Sequence, residues 1–167
     1  MTPDQFWTII EEVHRDSGGD MDAKCELLAK KLRQLSLDEV RSFHEHSTVQ
    51  YYRAYDWGLW AAAYIIGHGC SDDSFMDFRN TLISMGRETF EKALANPESL
   101  ADMDYDAETA HYEGFQYVKR RVFEEMSGGQ ELPIIRPRPT EPAGDKWPEN
   151  KVGQLYPKLA AKYGYKD

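Results

Sequence analysis

Apolar residues recur along most of this chain at separations of three and four, the period of one face of an α-helix. Phe6, Ile9, Ile10 and Val13 form the first such stripe. Just before it, Thr2-Pro3-Asp4-Gln5 combines a capping hydroxyl, a proline suited to the first helical position and a glutamine placed to close a capping box. Gly18-Gly19 ends the segment. Asp20 opens a second helix along Leu27, Leu28, Leu32 and Leu35. Ser36-Leu37-Asp38-Glu39 is another capping box and starts a third along Leu37, Val40, Phe43, Ser47 and Tyr51. The stretch "YYRAYDWGLWAAAYII", residues 51–66, is the most aromatic, with Trp57, Trp60, Ala61 and Tyr64 at helical spacing. Its alanines favour helix and permit close packing. Gly67-His68-Gly69 breaks the run, and residues 72–85 predict the next helix along Phe75, Phe78 and Leu82. Gly86 interrupts or kinks it before "RETFEKAL" continues to Ala95. Asn96-Pro97-Glu98-Ser99 reads as a turn opening a short helix. One long helix is expected from Asp106 to Met126, stopped by Gly128-Gly129.

No alternating strand pattern of useful length occurs, although "ELPII" is long enough for one short edge strand. The pattern therefore predicts an all-α fold, a single-domain irregular bundle of about six to eight helices, over residues 1–129. The composition then shifts. Residues 130–150 hold five of the eight prolines, including "RPRP", and predict an extended, partly polyproline segment. Residues 151–167 are expected to form a short helix near Pro157 to Tyr163 that docks on the domain through Leu155, Leu159 and Tyr163.

Composition narrows the class. With 167 residues, 41% of them hydrophobic and 13% aromatic, the chain suits one domain with one core. No apolar run approaches the roughly 20 residues that span a bilayer. "MTPDQFWTII" lacks the basic and apolar regions of a signal peptide, so a cytoplasmic location without membrane association is expected. Cys25 and Cys70 are the only cysteines, far apart and outside any CxxC, which suits reduced thiols. The net charge is −9, and "KRR" at 119–121 is the one basic run, which argues against nucleic acid as a partner. An acidic surface also suits attraction of a basic protein.

The stretch "LWAAAYIIGHGCSDDSFMDFRNTLISMGRETFEKALANPESLA" carries a combined motif: a Trp-rich helix, a glycine break, Ser71-Asp72-Asp73, Phe75, Asp77-Phe78-Arg79, Leu82-Ile83, Gly86-Arg87 and a later Pro-Glu-Ser-Leu. In these features the sequence resembles a bacterial family, the domain of unknown function numbered 4240. The resemblance extends over residues 4–126 and is strongest over 57–101. Where this chain has His68, the family more usually has a second glycine. The resemblance implies the family's domain and brings no activity with it.

Within that motif Arg79 is the most unusual residue. On a helix it shares a face with Phe75, Leu82 and Ile83 and so points inward. A buried guanidinium has to be paired and hydrogen-bonded. Asp72 is two turns away, roughly 10 Å along the axis, and Asp77 lies on nearly the opposite face. The partner is therefore expected from another helix, with Asp56, Asp102, Asp104 and Glu113 as candidates. A structural ion pair is the first reading and an anionic-ligand site the second. Asp72 and Asp73 stand where a helix begins and suit the free N–H groups and dipole there. Asp73 and Asp77, four apart, are a weak metal pair for a hard cation such as Mg²⁺ or Mn²⁺, needing further oxygen ligands such as Glu113.

The remaining candidates are weaker. His44 and His46 diverge by about 200° on a helix and cannot share an ion; His44 suits a half-buried structural place, and His14 and His111 are isolated. His68, beside Asp72, is the best-placed acid or base. Cys70 precedes a helix N-terminus, where thiolate is favoured. GxSxG, GxGxxG and GxxxxGK are absent. Tyr51, Tyr52, Tyr55, Trp57, Trp60 and Tyr64 are mostly core, but a groove lined by their polar tips, Arg79 and an acid would make a ligand pocket.

Two functions follow. One is a non-catalytic helical binding or interaction module, in one version engaging a basic protein. The other is an enzyme or small-molecule binder with Trp60, Tyr64, Asp72, Asp73, Asp77 and Arg79 as ligand-binding candidates, in one version dependent on a divalent metal. The sequence points away from an enzyme, calls for no cofactor, assigns no catalytic residue and leaves oligomeric state open.

Overall fold

The computed structural model describes all 167 residues, which form ten α-helices and no strand. The helices are α1 Pro3–Ser17, α2 Met21–Leu32, α3 Leu37–Arg53, α4 Trp57–Gly67, α5 Asp72–Ser84, α6 Arg87–Ala95, α7 Ala107–Ala110, α8 Phe115–Ser127, α9 Val152–Leu155 and α10 Pro157–Tyr163, with 3₁₀ turns at Pro97–Asp102 and Glu149–Lys151. Both capping boxes form, Thr2 with Gln5 and Ser36 with Glu39. Gly86, at φ 98, separates α5 from α6. "ELPII" makes no strand; the sole β-type pairing is an isolated bridge between Asp56 and Ala143.

The helix count exceeds the expected range partly because the long helix from Asp106 to Met126 does not exist. It is broken into α7 and α8 by an irregular turn over residues 111–114. Gly114 there adopts φ 142 and ψ −42, a conformation that only glycine takes readily.

Helix α5 is the centre of the bundle and packs against α1, α3, α4, α6, α7 and α8. Phe75, Phe78, Arg79, Asn80, Thr81, Leu82, Ile83 and Ser84 are all buried on it, more than one face of a helix. Its polar side chains reach back to their own backbone: Asn80 donates to the Met76 carbonyl, Thr81 to that of Asp77, Ser84 to that of Thr81. Such local bonds let a polar side chain enter a core without a distant partner.

After α8 the chain runs over α3 and the start of α4. His44 Nε2 donates to the Pro133 carbonyl (2.9 Å) and Tyr52 Oη to that of Ile135 (3.0 Å). Ala143 exchanges backbone bonds with Tyr55 and Trp57. The Trp147 indole donates to the Trp57 carbonyl and sets its edge against Trp57 and Tyr64. Helix α10 then packs on α4 and residues 97–102. Leu159 is buried there, and Tyr163 Oη donates to the Tyr105 carbonyl. Leu155, expected to dock, is 48% exposed, and Val152 is the residue of α9 that enters the core.

Candidate functional site

Between Ile135 and Ala143 the chain arches over the gap between α3 and α5. Beneath the arch is a cavity of about 490 Å³. Tyr51, Tyr52 and Tyr55 line it from the end of α3, and Asp72, Phe75, Met76 and Arg79 from α5. The arch contributes Arg136, Arg138, Pro139 and Thr140.

Arg79 is 5% exposed, as its place on the α5 stripe requires. Its partners differ from the expected acids. The guanidinium carbon lies 3.8 Å from the Tyr51 ring centre, 4.6 Å from that of Tyr55 and 4.9 Å from that of Phe75. Nε donates to the Phe75 carbonyl (3.3 Å), Nη1 to the Tyr51 carbonyl (3.3 Å) and Nη2 to Tyr51 Oη (2.7 Å). All nine ion pairs of the molecule join other residues. Of the proposed partners, Asp56 caps α4 and Glu113 accepts from Tyr117, and neither Asp102 nor Asp104 bonds to the guanidinium. The expected structural ion pair is thus replaced by three ring faces, whose negative quadrupoles attract a cation without the desolvation cost of a second buried charge.

Three of the five guanidinium N–H groups are used, and each Nη keeps one free. Burial pulls the Arg79 guanidinium below its ordinary pKa and the Arg138 charge acts in the same direction, while Tyr51, Tyr55 and Asp72 push it back. Burial in turn raises the Tyr51 phenol. Arg136 and Arg138 are exposed at the rim and neither forms an ion pair.

A second chamber of about 450 Å³ adjoins the first and shares Tyr51, Tyr52, Met76 and Arg138 with it. Leu132, Ile134, Ile135 and Tyr117 supply its apolar surface. Its other cations are engaged: Lys119 donates to Ser47 (2.8 Å) and Arg120 lies 3.8 Å from Glu124.

The six residues singled out from sequence separate. Arg79 and Asp72 line the cavity. Trp60 stacks between Phe75 (4.6 Å) and Trp57 (5.1 Å) and donates to the Cys70 carbonyl, while Tyr64 holds Trp147 and Tyr165. Asp73 is exposed in the first turn of α5, whose cap is Ser71 and not an aspartate. Asp77 accepts from Gln116 (2.7 Å), and burial, with Glu113 and Asp73 nearby, raises its carboxyl to about 6. No three His, Cys, Asp or Glu side chains converge on a point that could hold a metal ion, so the Asp73–Asp77 pair stays incomplete.

The structure opposes the reactive-thiol suggestion for Cys70. Burial, then the Asp72 charge, pushes the Cys70 thiol up to about 12, opposite to the expected thiolate. His68 ends α4 at φ 52, the one non-glycine residue with positive φ, and its Nε2 bonds the Tyr163 carbonyl (2.7 Å). Its position explains why glycine suits this place. His111 bridges the carbonyls of Ser74 and Ala63, and His46 binds that of Met1.

Arg136 and Arg138 escaped sequence reasoning as site residues. The available signal was "RPRP", two cations held apart by prolines.

Residues 1–125, well over half of the chain, match the family model described as a protein of unknown function, DUF4240. No curated protein and no solved structure matches the chain.

Proposed function

The chain belongs to the DUF4240 family, a membership that brings no reaction with it, and we propose from the geometry that it binds a small anionic molecule in the cavity under the arch. One observation supports this above the rest. Arg79 is 5% exposed, lacks any carboxylate partner, and opens on a cavity that already holds Arg136 and Arg138. Burying a cation costs several kcal/mol, and each cation–π contact returns about 0.5–2 kcal/mol. An anion in the cavity takes up the two free N–H groups and offsets the repulsion among three like charges.

Calorimetric titration with inorganic phosphate, sulfate and citrate tests the proposal. Binding that is lost in Arg79→Met, with the variant still folded by circular dichroism, is the expected result. Equal affinity of the variant for every anion overturns it. The other reading, an interaction module for a basic protein, draws support from the net charge of −9. It predicts association with a basic protein that weakens steeply with salt and is indifferent to Arg79→Met.

A further inference from the structure

The charge in the two chambers is unevenly divided. In the first, three arginines face one aspartate, which leaves two positive charges uncompensated. The second adds Lys119 and Arg120, but Glu124 lies 3.8 Å from Arg120, and burial beside Ser47 lowers the Lys119 ammonium to about 8. Its remaining surface is largely aliphatic and aromatic. A ligand carrying two separated carboxylates would need a strong cation at each end, whereas in the second chamber Glu124 stands beside Arg120 and burial weakens the charge on Lys119. A group bearing two charges on one centre matches the first chamber, and an uncharged body matches the second. The two chambers are adjacent, with Tyr51, Tyr52, Met76 and Arg138 lining both.

Resting on the anion-binding proposal above, we infer that the ligand is a phosphomonoester of an apolar or aromatic alcohol, its phosphoryl group among Arg79, Arg136 and Arg138 and its organic body past Tyr51 and Tyr52 in the second chamber. A planar guanidinium presents paired N–H groups at the spacing of two phosphoryl oxygens. Arg79, held against Tyr51, has one free N–H on each Nη to offer. Tyr51 Oη accepts from Arg79, so its own proton is free for a third oxygen. Arg136 and Arg138 approach from the opposite wall, on the arch.

The test is titration calorimetry on the full chain with inorganic phosphate, phenyl phosphate and phenyl sulfate at pH 8.0 and 5.5. Phenyl phosphate is expected to bind at least about tenfold more tightly than either comparator at pH 8.0. Its affinity should fall roughly fourfold at pH 5.5, because the second proton of a phosphomonoester leaves near pH 6. Phenyl sulfate, a monoanion throughout, should not share that fall. Arg138→Gln, at an exposed position whose replacement leaves the core intact, should weaken phenyl phosphate more than phenyl sulfate. If inorganic phosphate binds as tightly as phenyl phosphate, the assignment of the second chamber is wrong and anion binding stands. If phenyl sulfate matches phenyl phosphate at both pH values, the two-charge assignment is wrong and anion binding again stands. If no anion binds, both this inference and the proposal beneath it fail.

Discussion

Two buried cations distinguish this chain at the residue scale, and each makes a prediction. Arg79 is held by ring faces and carbonyls, so replacing it does not strand an opposite charge. Arg79→Met, of similar reach, should therefore change stability by no more than about 1 kcal/mol in urea denaturation; loss of one partner from a buried ion pair would cost about 3–5 kcal/mol. Lys24 is 1% exposed, with only Ser84 Oγ (3.1 Å) to accept from it, and burial lowers its ammonium to about 8. Between pH 8 and 10.5 the unfolded chain holds this proton and the native chain does not, so stability rises with pH across that window. At pH 7 the mismatch costs on the order of 3 kcal/mol. Lys24→Met should raise the melting temperature at pH 7 and abolish this part of the slope above pH 8. Helical spacing makes the inward place of Arg79 legible, whereas its partners carry no formal charge: the Phe75 ring one turn back and the Tyr51 and Tyr55 rings at the end of α3. The same spacing sets Lys24 in line with Leu28 and Leu32, so its burial was legible too. A lone lysine on an apolar stripe usually turns its head to solvent, which hides the exception.

The ends of elements were readable where a local rule decides them. Thr2, Ser36, Gly18, Gly86 and Gly128 each stop or start a helix through bonds or dihedrals within a few residues. Gly114 follows the same rule, but the apolar residues on either side of it keep helical spacing and mask the break. The arch is different, because it has no period. Its path depends on carbonyl acceptors for His44 and Tyr52 and on a slot for Trp147, none of which is local in sequence. Trp147 is 8% exposed and stands as the anchor after the arch. Trp147→Ala should cost about 3 kcal/mol. It should also speed cleavage within residues 130–150 under limited proteolysis while α1–α8 stay resistant. Unchanged protection of that segment would mean that His44 and Tyr52 suffice to hold it.

Over the whole molecule the charge divides along the same line as the family match. Residues 130–167 carry seven Lys and Arg against five Asp and Glu, a net +2, laid on a body of −11. The match ends at residue 125, so Tyr51, Tyr55, Phe75 and Arg79 fall inside it and Arg136 and Arg138 outside. The cavity under the arch is therefore completed by residues that the family model does not include. The same tail supplies Trp147, Val152 and Leu159 to the core and covers Trp57, Tyr64 and the turn at residues 97–102. A chain ended after Gly129 keeps every residue of α1–α8 but uncovers an aromatic face on a more acidic body. It should melt well below the full chain and bind an apolar dye, since the lost burial is a large part of the 5–15 kcal/mol typical of a domain. It should also bind phosphate more weakly than full-length Arg138→Gln, because it lacks both arch arginines and the roof that desolvates Arg79. A truncated chain with the full melting temperature would show that the helical body stands alone and that the tail serves the cavity only.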